Sequence, residues 1–252
     1  MVFVLLIMIH TTLKLIVIAQ HNLTPYGTAT QSSWLDGGHG HARFAIQPPI
    51  SNAFSMTICT HTATLSDQPA WWMFQFSFGS AFITEIQLYY RHGAAYRMDG
   101  FKLYVTNTST IPPDGYLCYE DPDPGLPNIT QTIPCFQFGK YVIYYDTKGD
   151  IEYGPLVELC YVAIYGCPRG MWGPSCTEAC SSLCVSQHCH PENGSCVYGC
   201  DPQQCLNTKC EIYTGACTKG CATGWEGQYC LCIRCKAASN ETITNKPMYS
   251  IP

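Results

Sequence analysis

The chain has 252 residues and a mass of 28.0 kDa, enough for one large domain or two small ones. Only 12% of its residues are charged, and 13 Lys and Arg against 18 Asp and Glu give a net charge of -5. This balance excludes a nucleic-acid-binding protein that works through a clustered basic surface. Eighteen cysteines are too many for a reduced cytosolic enzyme and are typical of a disulfide-bonded, exported protein.

The first residues form a short apolar segment that ends in small residues, with Val17 and Ala19 at the minus-three and minus-one positions of a cleavage site. This pattern predicts a secretory signal peptide over residues 1–19 and an extracellular protein. Lys14 interrupts the apolar run. An uncleaved membrane anchor is the alternative, although a spanning helix needs about 20 apolar residues without a charge. No later segment is long and apolar enough to span a bilayer.

Five Asn-x-Ser/Thr sequons follow the predicted signal peptide. In a secreted chain such sequons accept N-linked sugars when they are exposed, so we expect a glycosylated surface. The acceptor residues are Asn22, Asn107, Asn128, Asn193 and Asn240.

Residues 20–166 have the pattern of a β domain. A core strand is predicted at the aromatic group Trp71, Trp72, Phe74, Phe76 and Phe78. Residues 82–90, 101–107, 141–147 and 156–166 are rich in β-branched and aromatic residues and are separated by turn residues, which predicts four further strands. Short strands at roughly ten-residue spacing favour a mainly β fold, as a two-sheet sandwich or jelly roll.

Several motifs of this domain in combination resemble the F-type lectin (fucolectin) family. They are residues 22–24 (NLT), 28–33 (TATQSS), 59–62 (CTHT), 69–72 (PAWW) and 159–160 (LC). The resemblance covers most of residues 20–166 and implies a galactose-binding-like jelly roll, related to the discoidin and coagulation-factor C-type modules. It also implies the disulfides Cys59–Cys160 and Cys118–Cys135, whereas four cysteines by themselves allow three pairings.

In this family one His and two Arg bind fucose at one mouth of the sandwich, where Arg offers a rigid fork of donors to the sugar hydroxyls. By position, the resemblance points to His61, Arg91 and Arg97 as carbohydrate-binding residues. The spacing departs from the family's pattern, and Gly93 stands where the family has an Asp that orients the arginines. We therefore expect a degraded fucose-type site with less pre-organisation, in which Asp99 is the nearest substitute for the missing carboxylate.

No metal and no cofactor are expected. The family holds a structural calcium through a loop rich in Asn and Asp and a Glu after the late Cys, but here residues 45–52 (AIQPPISN) and Tyr161 occupy those places. His39 and His41 have no third ligand nearby, and we expect the cysteine of residues 188–190 (HCH) to be bridged rather than bound to zinc.

Residues 167–235 contain an internal cysteine repeat. The spacing Cys-x4-Cys-x6-Cys-x3-Cys that begins at Cys184 recurs from Cys205, a shift of 21 residues. A second element that contains Gly-x-x-Gly-x-x-Cys ends at Cys176 and recurs at Cys230. These recurrences indicate tandem small disulfide modules, which cross-links rather than a large hydrophobic core must hold together.

The cysteine spacing resembles the EGF-like repeats of multiple-EGF-domain and class F scavenger receptors. That resemblance implies the disulfides Cys167–Cys176, Cys180–Cys189, Cys184–Cys196, Cys200–Cys210, Cys205–Cys217 and Cys221–Cys230. Cys200 departs from the pattern, because only four residues separate it from Cys205. Cys232 and Cys235 begin a further repeat and either pair with each other or stay reactive. Residues 236–252 are polar and without pattern, which predicts a disordered tail.

The sequence favours a recognition protein over an enzyme, because it contains no nucleophile-elbow, zinc-protease or phosphate-loop motif. We expect a secreted protein whose lectin-like head, residues 20–166, binds glycans or glycoproteins of cells or microbes. Residues 167–235 would carry this head as an EGF-like stalk, and homo-oligomers would add avidity to weak sugar sites. The alternative is a non-lectin adhesion or scavenger-receptor-like module that binds protein, as a truncated form of a membrane receptor.

Overall fold

A computed structural model describes residues 20–35, 37, 39–64, 68–200, 204–212, 216–226, 230 and 232–233. The predicted signal peptide, the predicted tail, Cys235 and Asn240 lie outside these residues. None of the helices in the described part of the chain has the length and apolar character that a bilayer crossing requires.

The head is a sandwich of two antiparallel sheets, which confirms the predicted mainly β fold. The four-stranded sheet has the order β1-β9-β4-β7, and the five-stranded sheet has the order β2-β3-β8-β5-β6. The strands are β1 (His21–Asn22), β2 (Gly27–Gln31), β3 (Ala70–Phe76), β4 (Ala81–Tyr90), β5 (Lys102–Thr106), β6 (Tyr116–Glu120), β7 (Thr130–Gly139), β8 (Tyr141–Asp146) and β9 (Leu159–Pro168). Short 3-10 helices cover Thr24–Tyr26, Ala42–Ile46 and Ala95–Arg97.

The predicted aromatic strand is β3, and its alternate side chains build the core. Trp72, Phe74 and Phe76 are buried between the sheets, because successive residues of a strand face opposite sides. The Trp72 indole nitrogen donates a hydrogen bond to the Ala42 carbonyl at 3.0 Å, which satisfies its polar atom inside the core. The prediction that Phe78 belongs to this strand is wrong, because β3 ends at Phe76, a turn follows and Phe78 is exposed.

The strands predicted at 82–90, 101–107 and 141–147 are confirmed as β4, β5 and β8, each within one residue at either end. The fourth begins later than predicted, because β9 starts at Leu159 rather than at residue 156. The backbone N–H groups of Val157 and Leu159 instead donate to the hydroxyls of Thr62 and Thr60, each at 3.0 Å. The segment before β9 is thus extended but bonded to a loop.

The cysteine-rich region repeats in structure as it does in sequence. The N–H of Val185 donates to the Gly199 carbonyl at 3.1 Å. Twenty-one residues later, the N–H of Leu206 donates to the Gly220 carbonyl at 2.9 Å. Its strands and 3-10 helices are short: β10 (Met171–Trp172), β11 (Glu178–Ala179), β12 (Trp225–Glu226), β13 (Cys232–Ile233), Val185–Gln187 and Leu206–Thr208.

Among the residues that the structure describes there are eight disulfides, and their partners are those that the two resemblances imply. Cys200 pairs with Cys210 despite its irregular spacing. The other bridges are Cys59–Cys160, Cys118–Cys135, Cys167–Cys176, Cys180–Cys189, Cys184–Cys196, Cys205–Cys217 and Cys221–Cys230. The side chain of Cys232 is outside the described part of the structure.

Candidate functional site

The structure brings the three predicted site residues together at one end of the sandwich. Two of them are Arg91, which directly follows β4, and Arg97, which ends the 3-10 helix Ala95–Arg97. They meet at a residue that was not predicted, Glu158, which directly precedes β9. Because β4 and β9 are antiparallel neighbours, the end of one strand and the start of the other lie side by side. Loops from distant parts of the chain therefore meet around the Glu158 carboxylate.

His61 reaches this point through the extended segment 59–62. Thr60 donates its N–H to the Leu159 carbonyl at 2.8 Å and, like Thr62, accepts a backbone N–H through its hydroxyl. Both threonines are fully buried. Since side chains alternate along an extended segment, His61 faces away from the two threonines and towards Glu158. The Cys59–Cys160 disulfide holds the two segments together.

The Glu158 carboxylate binds all three predicted residues. Its Oε1 atom lies 3.0 Å from His61 Nε2 and 2.5 Å from Arg91 Nη1, and its Oε2 atom lies 3.1 Å from Arg97 Nη1. The side chain of Glu158 has 0% exposure. The expectation that the arginines lack an orienting carboxylate is therefore wrong. Asp99 is not the substitute, because it pairs with Lys148 at 2.9 Å.

The cluster keeps Glu158 ionised despite its burial. Burial by itself would raise the pKa of the carboxyl, but hydrogen bonds from His61 and Arg91 and the nearby positive charges outweigh it and lower the pKa. Burial likewise opposes the charge of Arg97, and the interaction with Glu158 more than compensates, so that the pKa of Arg97 is raised. The ionised forms of Glu158 and Arg97 are thus stabilised by their partners in the cluster.

The geometry gives His61 a supporting position rather than a binding one. Its Nδ1 atom lies 2.7 Å from the Thr62 carbonyl oxygen, and its Nε2 atom faces Glu158. A carbonyl and a carboxylate both accept hydrogen bonds, so each ring nitrogen of His61 faces an acceptor of the protein itself. The His61 side chain is only 9% exposed and has no ring nitrogen left for a ligand.

The guanidinium groups face outwards more than the histidine does. The side chain of Arg91 is 30% exposed and that of Arg97 is 15% exposed. The Arg91 guanidinium lies over the Phe54 ring at 3.9 Å from its centroid, and Arg97 Nε lies 3.4 Å from Asp150 Oδ2. Each guanidinium is therefore held from two sides and keeps further N–H donors, since Arg has five.

A groove of about 360 Å³ lies beside Arg97. Its apolar lining includes Tyr96, Leu126 and Ile151, which are all exposed, and Asp150 connects it to the arginine cluster. The mouth therefore combines fixed donors with an adjacent apolar surface, the combination that binding sites for small ligands use.

Within the described ranges, no three His, Cys, Asp or Glu side chains come together as a group that could hold a metal ion. His39 is exposed, and His41 contacts the ring of Phe44. The informative residue between them is Gly40, whose carbonyl accepts the His61 N–H at 2.9 Å. A Cβ atom at Gly40 would lie 2.7 Å from the Cβ of His61, so only glycine allows this close approach.

Sequence reasoning missed Glu158, although a signal for it exists. His61 follows Cys59 by two residues, and Glu158 precedes Cys160 by two residues. If Cys59 and Cys160 are bridged between antiparallel segments, residues two positions away on either side face each other. The disulfide implied by the resemblance therefore also selects Glu158 as the partner of His61.

No protein-family model matches the chain, and no curated protein matches it. Among solved structures it is similar to a fucolectin from the serum of the striped bass, Morone saxatilis, with 22% identity and a TM-score of 0.49 over 58% of this chain and 49% of that chain. It is also similar to the Streptococcus pneumoniae fucose-binding module SpX-3, with 20% identity and a TM-score of 0.45 over 57% of this chain and 97% of that chain. A third similar structure is the lectin domain of lectinolysin complexed with Lewis B antigen, with 18% identity and a TM-score of 0.46 over 58% of this chain and 96% of that chain. The chain thus spans about half the length of the striped bass lectin.

Proposed function

We propose that this protein is a secreted recognition protein whose head binds glycans through Arg91 and Arg97. The observation that carries the proposal is the fixed orientation of two partly exposed guanidinium groups on one buried carboxylate, Glu158. Sugar hydroxyls accept hydrogen bonds from such donors, and donors that are already oriented lose little entropy when the sugar binds.

The residues of the cluster have different roles in this proposal. Arg91 and Arg97 donate to the sugar, and Arg91 contributes most because it is the more exposed of the two. His61 is a positioning residue, since it fixes Glu158 and has both ring nitrogens engaged. Phe54 supports the Arg91 guanidinium from below. The groove beside Arg97 accommodates the rest of an oligosaccharide.

The remainder of the chain supports an extracellular binding role. We assign residues 20–166 to the lectin-like head and residues 167–235 to an EGF-like stalk that displays it. The eight disulfides of the described residues favour an oxidising compartment. The partners are glycans or glycoproteins on cells or microbes, the protein is not an enzyme, and homo-oligomers raise the avidity of a weak site.

A glycan array with the full secreted chain tests this proposal. We expect wild-type protein to bind a subset of glycans, Arg91→Ala to lose at least about tenfold in signal, and Arg97→Ala to lose less. Arg169→Ala is the matched control, because Arg169 lies beyond the opposite end of the ten-residue strand β9. Unchanged binding by Arg91→Ala contradicts the proposed site. Wild-type protein that binds no glycan favours the protein-binding alternative.

A further inference from the structure

A second cleft lies far from the arginine cluster, where the head meets the first module of the cysteine-rich region. It has a volume of about 360 Å³. Residues at the end of β5, the start of β6 and the end of β7 form one side, and His188 and Tyr198 of the cysteine-rich region form the other. The two regions of the chain thus share one concave surface.

Aromatic side chains form one wall of this junction cleft. The ring centroids of Phe138 and His188 are 4.1 Å apart, those of His188 and Tyr198 are 5.3 Å apart, and Tyr198 also contacts Phe138 at 6.1 Å. Tyr198 and Tyr116 line the cleft and are each more than half exposed. Exposed tyrosine rings, which combine an apolar face with a polar hydroxyl, suit a ligand that has both apolar and hydrated polar parts.

The rest of the lining is polar and is held by hydrogen bonds. The Asp114 carboxylate accepts hydrogen bonds from the hydroxyls of Thr106 at 3.2 Å and Thr108 at 2.5 Å. The N–H of Thr108 also donates to the Thr106 hydroxyl at 3.1 Å. These bonds fix the chain on both sides of Asn107, whose exposed side chain lines the cleft.

Asn107 is the acceptor of the sequon formed by residues 107–109. We propose that an N-linked glycan on Asn107 occupies the junction cleft, with its first sugars packed against Tyr116 and Tyr198. In its attachment the Asn107 Nδ2 atom forms a bond to the anomeric carbon of N-acetylglucosamine, loses one proton and displaces the lipid diphosphate of the donor. The glycan then contacts both the head and the first cysteine-rich module and restricts their relative movement.

The sequons at Asn22 and Asn128 have different surroundings. The Asn22 amide donates to the Tyr161 hydroxyl at 3.2 Å, and its oxygen accepts hydrogen bonds from Thr24 and Ile164. The Asn22 side chain is therefore engaged within the fold. Asn128 is exposed and does not line the cleft, which makes it the internal reference for Asn107.

The inference rests on the proposed secretion and is independent of the arginine site. Its test is site-resolved mass spectrometry of the full chain secreted from eukaryotic cells, during digestion of the native protein with a peptide N-glycosidase. We expect the glycan on Asn107 to be released about tenfold more slowly than the glycan on Asn128, the order of protection that an aromatic stacking contact provides. Tyr198→Ala is expected to abolish the difference. Tyr26→Ala, which removes an exposed tyrosine elsewhere, is expected to leave it unchanged.

Equal release rates at the two sites of the native wild-type protein overturn the inference. Sugar on Asn128 with none on Asn107 overturns it as well. Neither result affects the proposed arginine site, which the glycan array tests separately. A secreted chain with no sugar at any sequon contradicts the inference, and a chain that is never secreted contradicts the proposed function.

Discussion

The head and the cysteine-rich region are stabilised in different ways. The head buries a large cluster of apolar side chains from both sheets and has two disulfides. In the cysteine-rich region the buried cluster consists of cysteines themselves, with Trp172 partly buried against them. Six disulfides cross-link the described part of this region. Disulfides add to a core in the head, whereas they form the core of the cysteine-rich region.

This difference explains why the Glu158 cluster lies in the head. A buried carboxylate that pairs with two arginines and a histidine carries a large desolvation cost, and only a region with a stable core can hold it in one geometry. The described modules of the cysteine-rich region leave most of their polar side chains at least partly exposed.

Complete reduction of the disulfides is expected to unfold the cysteine-rich region and leave the head folded. Short disulfide loops without a hydrophobic core lose their stability when the cross-links are removed. Hydrogen exchange with and without reductant measures this for each strand. We expect protection to persist in β4 and β9 and to disappear from residues 184–200. Loss of protection in both regions in a single transition would contradict the contrast.

Two tryptophans provide a matched comparison between the regions. Trp72→Ala removes a fully buried ring from the head core and is expected to lower the free energy of unfolding by about 3–5 kcal/mol. Trp172→Ala removes a half-buried ring and is expected to cost clearly less. Denaturant unfolding of the two full-length variants measures both values. Equal losses would show that the two regions depend on aromatic packing to the same extent.

Glu158→Gln is expected to lower stability by about 3 kcal/mol, the lower end of the range for breaking a buried ion pair, because Arg91 is 30% exposed. The folded pKa of Glu158 is lowered, so its stabilising contribution is present above the usual carboxyl pKa of about 4.3 and is lost as the pH falls through the folded pKa. Unfolding curves between pH 3 and 6 should therefore depend on pH more steeply for the wild type than for the variant. Equal pH dependence of the two proteins would contradict the assignment of Glu158 as an ionised, stabilising group.

Asp146→Asn is expected to change the free energy of unfolding little at acidic pH and more as the pH approaches neutral. Burial is the main cause that raises the pKa of Asp146 to about 7, and its Oδ1 atom accepts N–H groups of Lys148 and Gly149. A raised folded pKa means that stability decreases as the pH rises from about 4 through about 7. The variant retains an acceptor without the charge, so the decrease between pH 4 and 8 should be reduced. An unchanged slope in thermal unfolding would contradict this assignment.

The sequence was most informative where local pattern and burial agree. The strands β3, β4, β5 and β8 are rich in aromatic and β-branched residues and face the core, so their positions could be predicted from alternation. In contrast, β6 has no buried residue, and β7 mixes exposed polar positions and Pro134 with buried ones. Their pairing depends on neighbouring strands and could not be read from their own residues.

The candidate site could be predicted in part. The resemblance identified His61, Arg91 and Arg97, and the structure places all three together. It did not identify Glu158, because this carboxylate occupies a different sequence position from the family's Asp and meets His61 only through long-range pairing. Nor did it distinguish the engaged nitrogens of His61 from the partly exposed donors of Arg91, since exposure is a property of the folded loops.

The most direct test of the proposed site is a crystal structure of the full chain with the oligosaccharide that gives the strongest array signal. We expect a terminal sugar within hydrogen-bond distance of the guanidinium groups of Arg91 and Arg97, with the Glu158 contacts of both arginines intact. A sugar bound elsewhere on the head, with the arginine cluster unoccupied, would contradict it.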